Sequence, residues 1–170
     1  MSGLRVTYGE GGDDVALVRF GFGSGPADVI VACPRLAGPE SAETWLATGA
    51  GEGEFALLAI EVEEAAFGGM QAASEEAYRR LLAAVRPSIH PYLLRIWNYV
   101  GAINAGAGDD ERYRRFCVGR AAAADERFNA PPPAATAIGT PQPTGSVQVI
   151  ALCTRTPGIA LENPRQTPAW

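Results

Sequence analysis

The sequence predicts an α+β fold, in which residues 1–170 form a single two-layer domain and two helices cover one face of a mixed, mostly antiparallel sheet. Short β-branched runs separated by glycine and proline alternate with two amphipathic helical segments, in the order β, β, β, helix, β, helix, β. The 170 residues, 47% of them hydrophobic, suffice for one ordinary core. The sheet face without helices predicts a homo-oligomer.

The N-terminal part of the sequence predicts three strands. Val15–Phe20 and Asp28–Cys33 are β-branched runs, and the glycine-rich segment Gly21–Pro26 between them predicts a hairpin. Ser41–Leu46 is expected to form one helical turn, and Glu54–Val62 is the third strand. These segments supply the first half of the sheet.

A helix and a fourth strand follow. Ser74 is a plausible N-cap because two acids come directly after it, and Pro87 ends the helix. The apolar stripe at helical spacing consists of Tyr78, Leu81, Leu82 and Val85. Tyr92–Tyr99 is rich in aromatic and branched residues and predicts a strand.

A second helix begins after Asp109 or Asp110. Its apolar stripe is predicted to contain Tyr113, Phe116, Cys117, Arg120 and Ala124. Residues 129–144 are expected to form a proline-rich loop. Val147–Cys153 alternates as a strand, and Ile159–Leu161 is a candidate last strand.

Composition excludes several classes of function. The net charge of −5 and the absence of a basic run argue against a nucleic-acid partner. Neither a signal peptide nor a membrane-spanning run is present in the sequence, so we expect a cytoplasmic protein without a membrane partner. The three cysteines fit reduced thiols, and with His90 as the single histidine we expect no metal site and no cofactor.

The basic residues are all arginine, fourteen of them, and two stand out. Strand alternation puts Arg95 on the same face as Trp97 and Tyr99, and Arg120 falls on an apolar helical stripe. A buried guanidinium requires acceptors. One alternative is an internal ion pair, with Glu61, Glu63 and Glu162 as the candidate acids. The other is a pocket in which arginine binds a carboxylate bidentately and the aromatic side chains wall a ring.

Several stretches resemble the first half of the chorismatase family, whose members hydrolyse chorismate or convert it into hydroxybenzoates. The matching stretches are Arg95-Ile96-Trp97-Asn98-Tyr99, Asn104, residues 111–120 (ERYRRFCVGR), residues 133–140 (PAATAIGT) and residues 162–166 (ENPRQ). The match is specific across residues 91–166 and faint before Gly69.

The resemblance implies a YjgF/Rid-like, chorismate-mutase-like fold that associates as a trimer. It also implies a small-molecule carboxylate as ligand. The candidate substrate-binding residues are Arg95, Trp97, Asn98, Tyr99, Tyr113 and Arg120. In an enzyme of this kind Arg95 and Arg120 would hold a carboxylate, and Tyr99 or Tyr113 would orient it. A glutamate such as Glu162 would be the acid or base if burial raised its pKa, because the family's own general acid has no counterpart here. In that family a second half carries the catalytic glutamate, and we expect no separate C-terminal catalytic domain within residues 1–170.

Two functions remain open from the sequence. The first is a chorismatase-like or Rid-like enzyme of secondary metabolism, a lyase or hydrolase that acts on a cyclic carboxylate such as chorismate and needs a second chain or an oligomer interface. The second is a non-catalytic binding or assembly subunit that docks onto a separate catalytic partner.

Overall fold

A computed structural model of the chain describes residues 4–10, 15–22, 29–34, 44–47, 55–125, 128, 132–140, 145–159 and 165. Within these residues the strands are β1 (Leu4–Glu10), β2 (Val15–Phe22), β3 (Val29–Pro34), β4 (Thr44–Ala47), β5 (Phe55–Glu63), β6 (Tyr92–Gly101), β7 (Ala134–Thr140) and β8 (Ser146–Thr154). The α-helices are α1 (Glu64–Phe67), α2 (Met70–Val85) and α3 (Arg112–Ala123).

The strands form two sheets. β1, β2 and β3 form an antiparallel three-stranded sheet, in which the predicted pairing of Val15–Phe20 with the following strand is confirmed. The expectation that these two strands belong to the same sheet as the later ones is wrong for the described residues, because their ladders are with each other and with the unpredicted strand Leu4–Glu10. The second sheet has the order β4-β5-β8-β6-β7. All its neighbours are antiparallel except β6 and β7, which are parallel. The predicted mixed, mostly antiparallel sheet is therefore confirmed.

The helices lie on one face of the five-stranded sheet. α2 packs against β5 and β8, and α3 packs on α2. The side chains that point toward the helices alternate along each strand, as β geometry requires. The buried members of this core on the three central strands are Ala56, Leu58, Ile60, Val62, Ile96, Val100, Val147, Val149, Ala151 and Cys153. The predicted α+β class is confirmed, and we call the sheet surface opposite α2 the helix-free face.

Two segments differ from the expectation. Of the segment expected to be a helical turn at Ser41–Leu46, residues 44–46 belong to the strand Thr44–Ala47, which pairs with β5, and residues 41–43 lie outside the described residues. The loop expected at residues 129–144 contains the strand Ala134–Thr140, paired with β6. Both are edge strands, so cross-strand hydrogen bonds rather than local propensity determine their conformation.

The helix starts also differ from the expectation. α2 begins at Met70 instead of after Ser74, and Ser74 Oγ donates a hydrogen bond of 2.7 Å to the Met70 carbonyl inside the helix. Asp109 and Asp110 lie in a short 3₁₀ turn, and α3 begins after Glu111. Ile159 has no regular structure, and residues 160–161 lie outside the described residues.

Candidate functional site

Arg95, Trp97 and Tyr99 lie on the helix-free face, as the alternation along the strand predicts. The pairing of β6 with β8 shifts register between Leu93 and Arg95, so Leu93 packs against the core while Arg95 points away from it. A bulge of this kind commonly redirects a side chain next to a functional site. The bulge therefore brings the guanidinium onto the same surface as the two aromatic side chains.

Arg95 is half-buried and forms two contacts there. Its Nη2 donates a hydrogen bond of 2.6 Å to Thr136 Oγ1, and its guanidinium carbon lies 5.8 Å from the centre of the Trp97 ring. Among the residues that the structure describes, no carboxylate pairs with Arg95 and no acceptor meets its Nε or Nη1. The described contacts of the Arg95 guanidinium are therefore those with Thr136 and Trp97, which orient it.

A polar cluster lies on the same face. Glu61 Oε1 accepts hydrogen bonds from Ser146 Oγ at 2.7 Å and from Gln148 Nε2 at 2.8 Å. Gln148 is the register partner of both Glu61 and Tyr99, so these three side chains form a row across β5, β8 and β6. Burial raises the pKa of Tyr99, which keeps the phenol protonated at neutral pH.

Asn98 points to the opposite face, toward the helices. It is 1% exposed, accepts a hydrogen bond of 2.8 Å from the Tyr78 hydroxyl, and donates one of 3.1 Å to the Thr136 carbonyl. These bonds satisfy a buried amide. Asn98 therefore ties β6 to α2 and to β7, and it touches the same residue, Thr136, that orients Arg95.

Arg120 and Tyr113 are also on the helix side. The Arg120 guanidinium carbon lies 5.7 Å from the Tyr78 ring centre and 5.6 Å from that of Phe128. Tyr113 is 44% exposed, and a hydrogen bond with the Cys117 side chain raises its pKa. Cation–π contacts thus accommodate Arg120 without any ion pair to a carboxylate of the described residues.

The structure brings together only part of the predicted set. Arg95, Trp97 and Tyr99 share one face, whereas the remaining described candidates, Asn98, Tyr113 and Arg120, lie on the other side of the sheet. Glu162 lies outside the described residues. The ion pairs considered for Arg95 and Arg120 with Glu61 or Glu63 do not occur in the described part of the chain.

Sequence reasoning missed a buried ion pair behind the site. Arg112 Nη1 and Nη2 donate to Glu64 Oε2 and Oε1 at 2.9 and 2.6 Å, and Arg112 Nε donates to the Gly101 carbonyl at 2.9 Å. This bidentate pair fixes the start of α3 against the ends of β5 and β6. Glu64, the acid that follows the third predicted strand, was a signal for this ion pair. The sequence did not show that Arg112 is its partner.

The described residues contain no group of three or more histidine, cysteine, aspartate or glutamate side chains that could hold a metal ion. Nor does any helix in this part of the chain have the length and apolarity needed to cross a membrane.

Comparison with known proteins agrees with the fold. The family described as "Chorismatase FkbO/Hyg5-like, N-terminal" matches residues 38–153, which is more than half of the chain. The chain therefore belongs to the N-terminal domain family of the FkbO/Hyg5-like chorismatases.

Individual relatives agree with this assignment. The chain is 41% identical over 96 residues to a chorismatase of Streptomyces hygroscopicus, an alignment that covers 54% of this chain and 27% of the relative. It is 34% identical over 131 residues to a 3-hydroxybenzoate synthase of the same species, covering 72% of this chain and 36% of the relative. A crystal structure of a chorismatase matches with a TM-score of 0.58 and 32% identity, over 78% of this chain and 38% of that chain. The chain spans about a quarter to a little over a third of the proteins that it matches.

Proposed function

We propose that this chain is the substrate-holding part of a chorismatase-like enzyme of secondary metabolism, a lyase or hydrolase that acts on a cyclic carboxylate, with chorismate as the first candidate. The observation that carries the proposal is Arg95. Its guanidinium is oriented by Thr136 and Trp97, and it has no carboxylate partner among the described residues. The relatives named chorismatase and 3-hydroxybenzoate synthase support chorismate as the candidate.

In this proposal the helix-free face binds the substrate. Two parallel N–H···O bonds from Arg95 would hold one carboxylate, which lysine cannot reproduce. The Trp97 ring would pack against the ring of the substrate, and Tyr99 would orient it through its protonated hydroxyl. The acid or base is Glu162, provided that burial raises its pKa in the assembled site.

Arg120, Tyr113 and Asn98 have a different role in this proposal. Because they lie on the helix side, we assign them to holding α2, α3 and β6 in position beneath the site. Asn98 acts on the site through Thr136, whose hydroxyl accepts the hydrogen bond from Arg95.

The test uses the purified chain and chorismate. Binding is measured by calorimetry and conversion by chromatography of the products, for wild type, Arg95→Met, Arg95→Lys and the control Arg114→Met, whose side chain is 58% exposed. We expect both Arg95 variants to lose at least ten-fold in affinity and the control to match wild type. The proposal is wrong if chorismate is unchanged and neither chorismate nor another cyclic carboxylate binds.

A second candidate function is a non-catalytic binding or assembly subunit. It is favoured by β7, an edge strand of small residues in which Ala134, Ala135 and Gly139 are exposed. Such an edge is suited to pairing with a strand of another chain, whether of a second protein or of the same protein in a homotrimer. For both candidate functions we propose that the protein is cytoplasmic.

Sedimentation of wild type and Ala135→Lys distinguishes the two candidates. A charged side chain on the edge opposes strand pairing, so a lower mass for the variant, together with no binding of cyclic carboxylates by wild type, supports the assembly role. Equal masses exclude pairing through β7.

A further inference from the structure

Glu61 is a half-buried acid on the helix-free face, and its two carboxylate oxygens differ in the hydrogen bonds that they accept. Oε1 accepts both of its hydrogen bonds, from Ser146 at 2.7 Å and from Gln148 at 2.8 Å. Within the described ranges, no donor meets Oε2. The carboxylate is thus held by one oxygen and presents the other as an acceptor.

The position of Glu61 relative to Arg95 follows from the register. Glu61, Gln148 and Tyr99 form one row, and Trp97, over which the Arg95 guanidinium lies, is paired with Ile150 in the next row on this face. With about 4.8 Å between strands and about 6.6 Å between same-face residues of a strand, the Cα atoms of Glu61 and Trp97 are about 12 Å apart.

The surface between the two charged groups is suited to a ring. Gln148, Ile150, Trp97 and Tyr99 are the residues between them on this face. Ile150 is 1% exposed and is therefore covered by its neighbours, so a ring would contact the half-buried side chains of Gln148, Trp97 and Tyr99. Arg95 provides a cationic donor at one end of this surface, and Glu61 provides an anionic acceptor at the other end.

We infer that Glu61 Oε2 accepts a hydrogen bond from a ring hydroxyl of the ligand whose carboxylate Arg95 binds. Among cyclic carboxylates, this contact favours those that carry a hydroxyl on the side of the ring remote from the carboxylate. The inference rests on the proposed function of Arg95 and adds the group that selects among cyclic carboxylates.

A purely structural role for Glu61 predicts a different result for one isosteric variant. In Glu61→Gln the amide oxygen still accepts from Ser146 and Gln148, while an NH₂ group replaces Oε2. The bonds within the sheet are kept, and the charged acceptor for a ligand hydroxyl is removed. A structural Glu61 tolerates this change, whereas a ligand-binding Glu61 does not.

The experiment compares two probes, trans-4-hydroxycyclohexanecarboxylate and cyclohexanecarboxylate, which differ by one hydroxyl. Their dissociation constants are measured by calorimetry for wild type, Glu61→Gln, Arg95→Met and the control Glu75→Gln, an exposed acid on α2. We expect wild type and the control to prefer the hydroxylated probe about ten-fold, because a hydrogen bond to a charged acceptor is a strong one.

Glu61→Gln should reduce this preference to less than two-fold and leave the affinity for cyclohexanecarboxylate unchanged. Arg95→Met should weaken both probes equally. If wild type binds both probes alike, or Glu61→Gln keeps the preference, the inference is overturned and the role of Arg95 stands. If wild type binds neither probe and does not bind chorismate, the proposed function fails, and the inference fails with it.

Discussion

Replacing Gly119 with alanine tests how tightly α3 is packed on α2. A methyl group at this position would lie 2.0 Å from the main-chain oxygen of Gln71 and 2.9 Å from Cβ of Ser74. Both atoms are close to or part of the α2 backbone, so the clash is relieved only when the helices separate. Overpacking costs about 1–3 kcal/mol, and a contact as short as this one falls at the upper end. Alanine recovers about 1 kcal/mol of helix propensity.

We therefore expect Gly119→Ala to lower the free energy of unfolding by about 2 kcal/mol. For a chain of this size that loss lowers Tm by roughly 4–8 °C. The measurement is thermal unfolding followed by circular dichroism, with urea unfolding as a second assay. The matched control is Ala122→Gly, an exposed position of the same helix, which changes propensity alone and should cost about 1 kcal/mol. A Gly119→Ala protein as stable as wild type, or more stable, refutes the packing argument.

Two further predictions concern buried groups. The variants Arg112→Met and Glu64→Gln each remove one partner of an ion pair whose side chains are 16% and 11% exposed. Each should lower the free energy of unfolding by about 3 kcal/mol, and the double variant should lose clearly less than the sum. Additive losses in urea unfolding would show that the two side chains do not interact. Burial raises the pKa of Tyr78 and of Cys153 to about 12 in the folded protein. The stabilisation of the folded state by each protonated group is therefore complete below that group's ordinary pKa and is lost as the pH rises toward 12. The urea midpoint should therefore fall between pH 9 and 12 less steeply in Tyr78→Phe than in wild type, and equal slopes would contradict this assignment.

The strands with pronounced apolar or aromatic runs could be predicted from the sequence. Phe55–Glu63, Tyr92–Gly101 and Ser146–Thr154 each lie within two residues of the predicted bounds. The first two were indicated by apolar, β-branched and aromatic composition and the third by alternation. Ala134–Thr140 could not be predicted, since alanine, glycine and threonine give no apolar alternation there. Its conformation comes from pairing with β6, which is a tertiary interaction.

The start of α2 shows a second limit of local patterns. Ser74 followed by acids is typical of a helix N-cap, yet the chain is already helical at that point and the serine hydroxyl bonds the carbonyl four residues earlier. The helix begins after Gly69, whose φ of +121° is accessible to glycine and strained for other residues. The start of the helix is therefore determined by Gly69, which can adopt this positive φ, and not by a serine cap.

Arg95 and Arg120 lie on opposite sides of the sheet because the alternation along a strand and the rotation of a helix about its axis are independent of each other. Alternation correctly groups Arg95 with Trp97 and Tyr99, and an apolar stripe correctly brings Arg120 toward the core. Neither pattern says on which side of the sheet each arginine lies, so the sequence leaves both arginines available for one pocket. The sheet lies between them, and the aromatic rings near Arg120 take the place of an anion. A ligand whose carboxylate Arg95 binds would therefore place its ring on the helix-free face, where Glu61 is an acceptor for a hydroxyl of the ring.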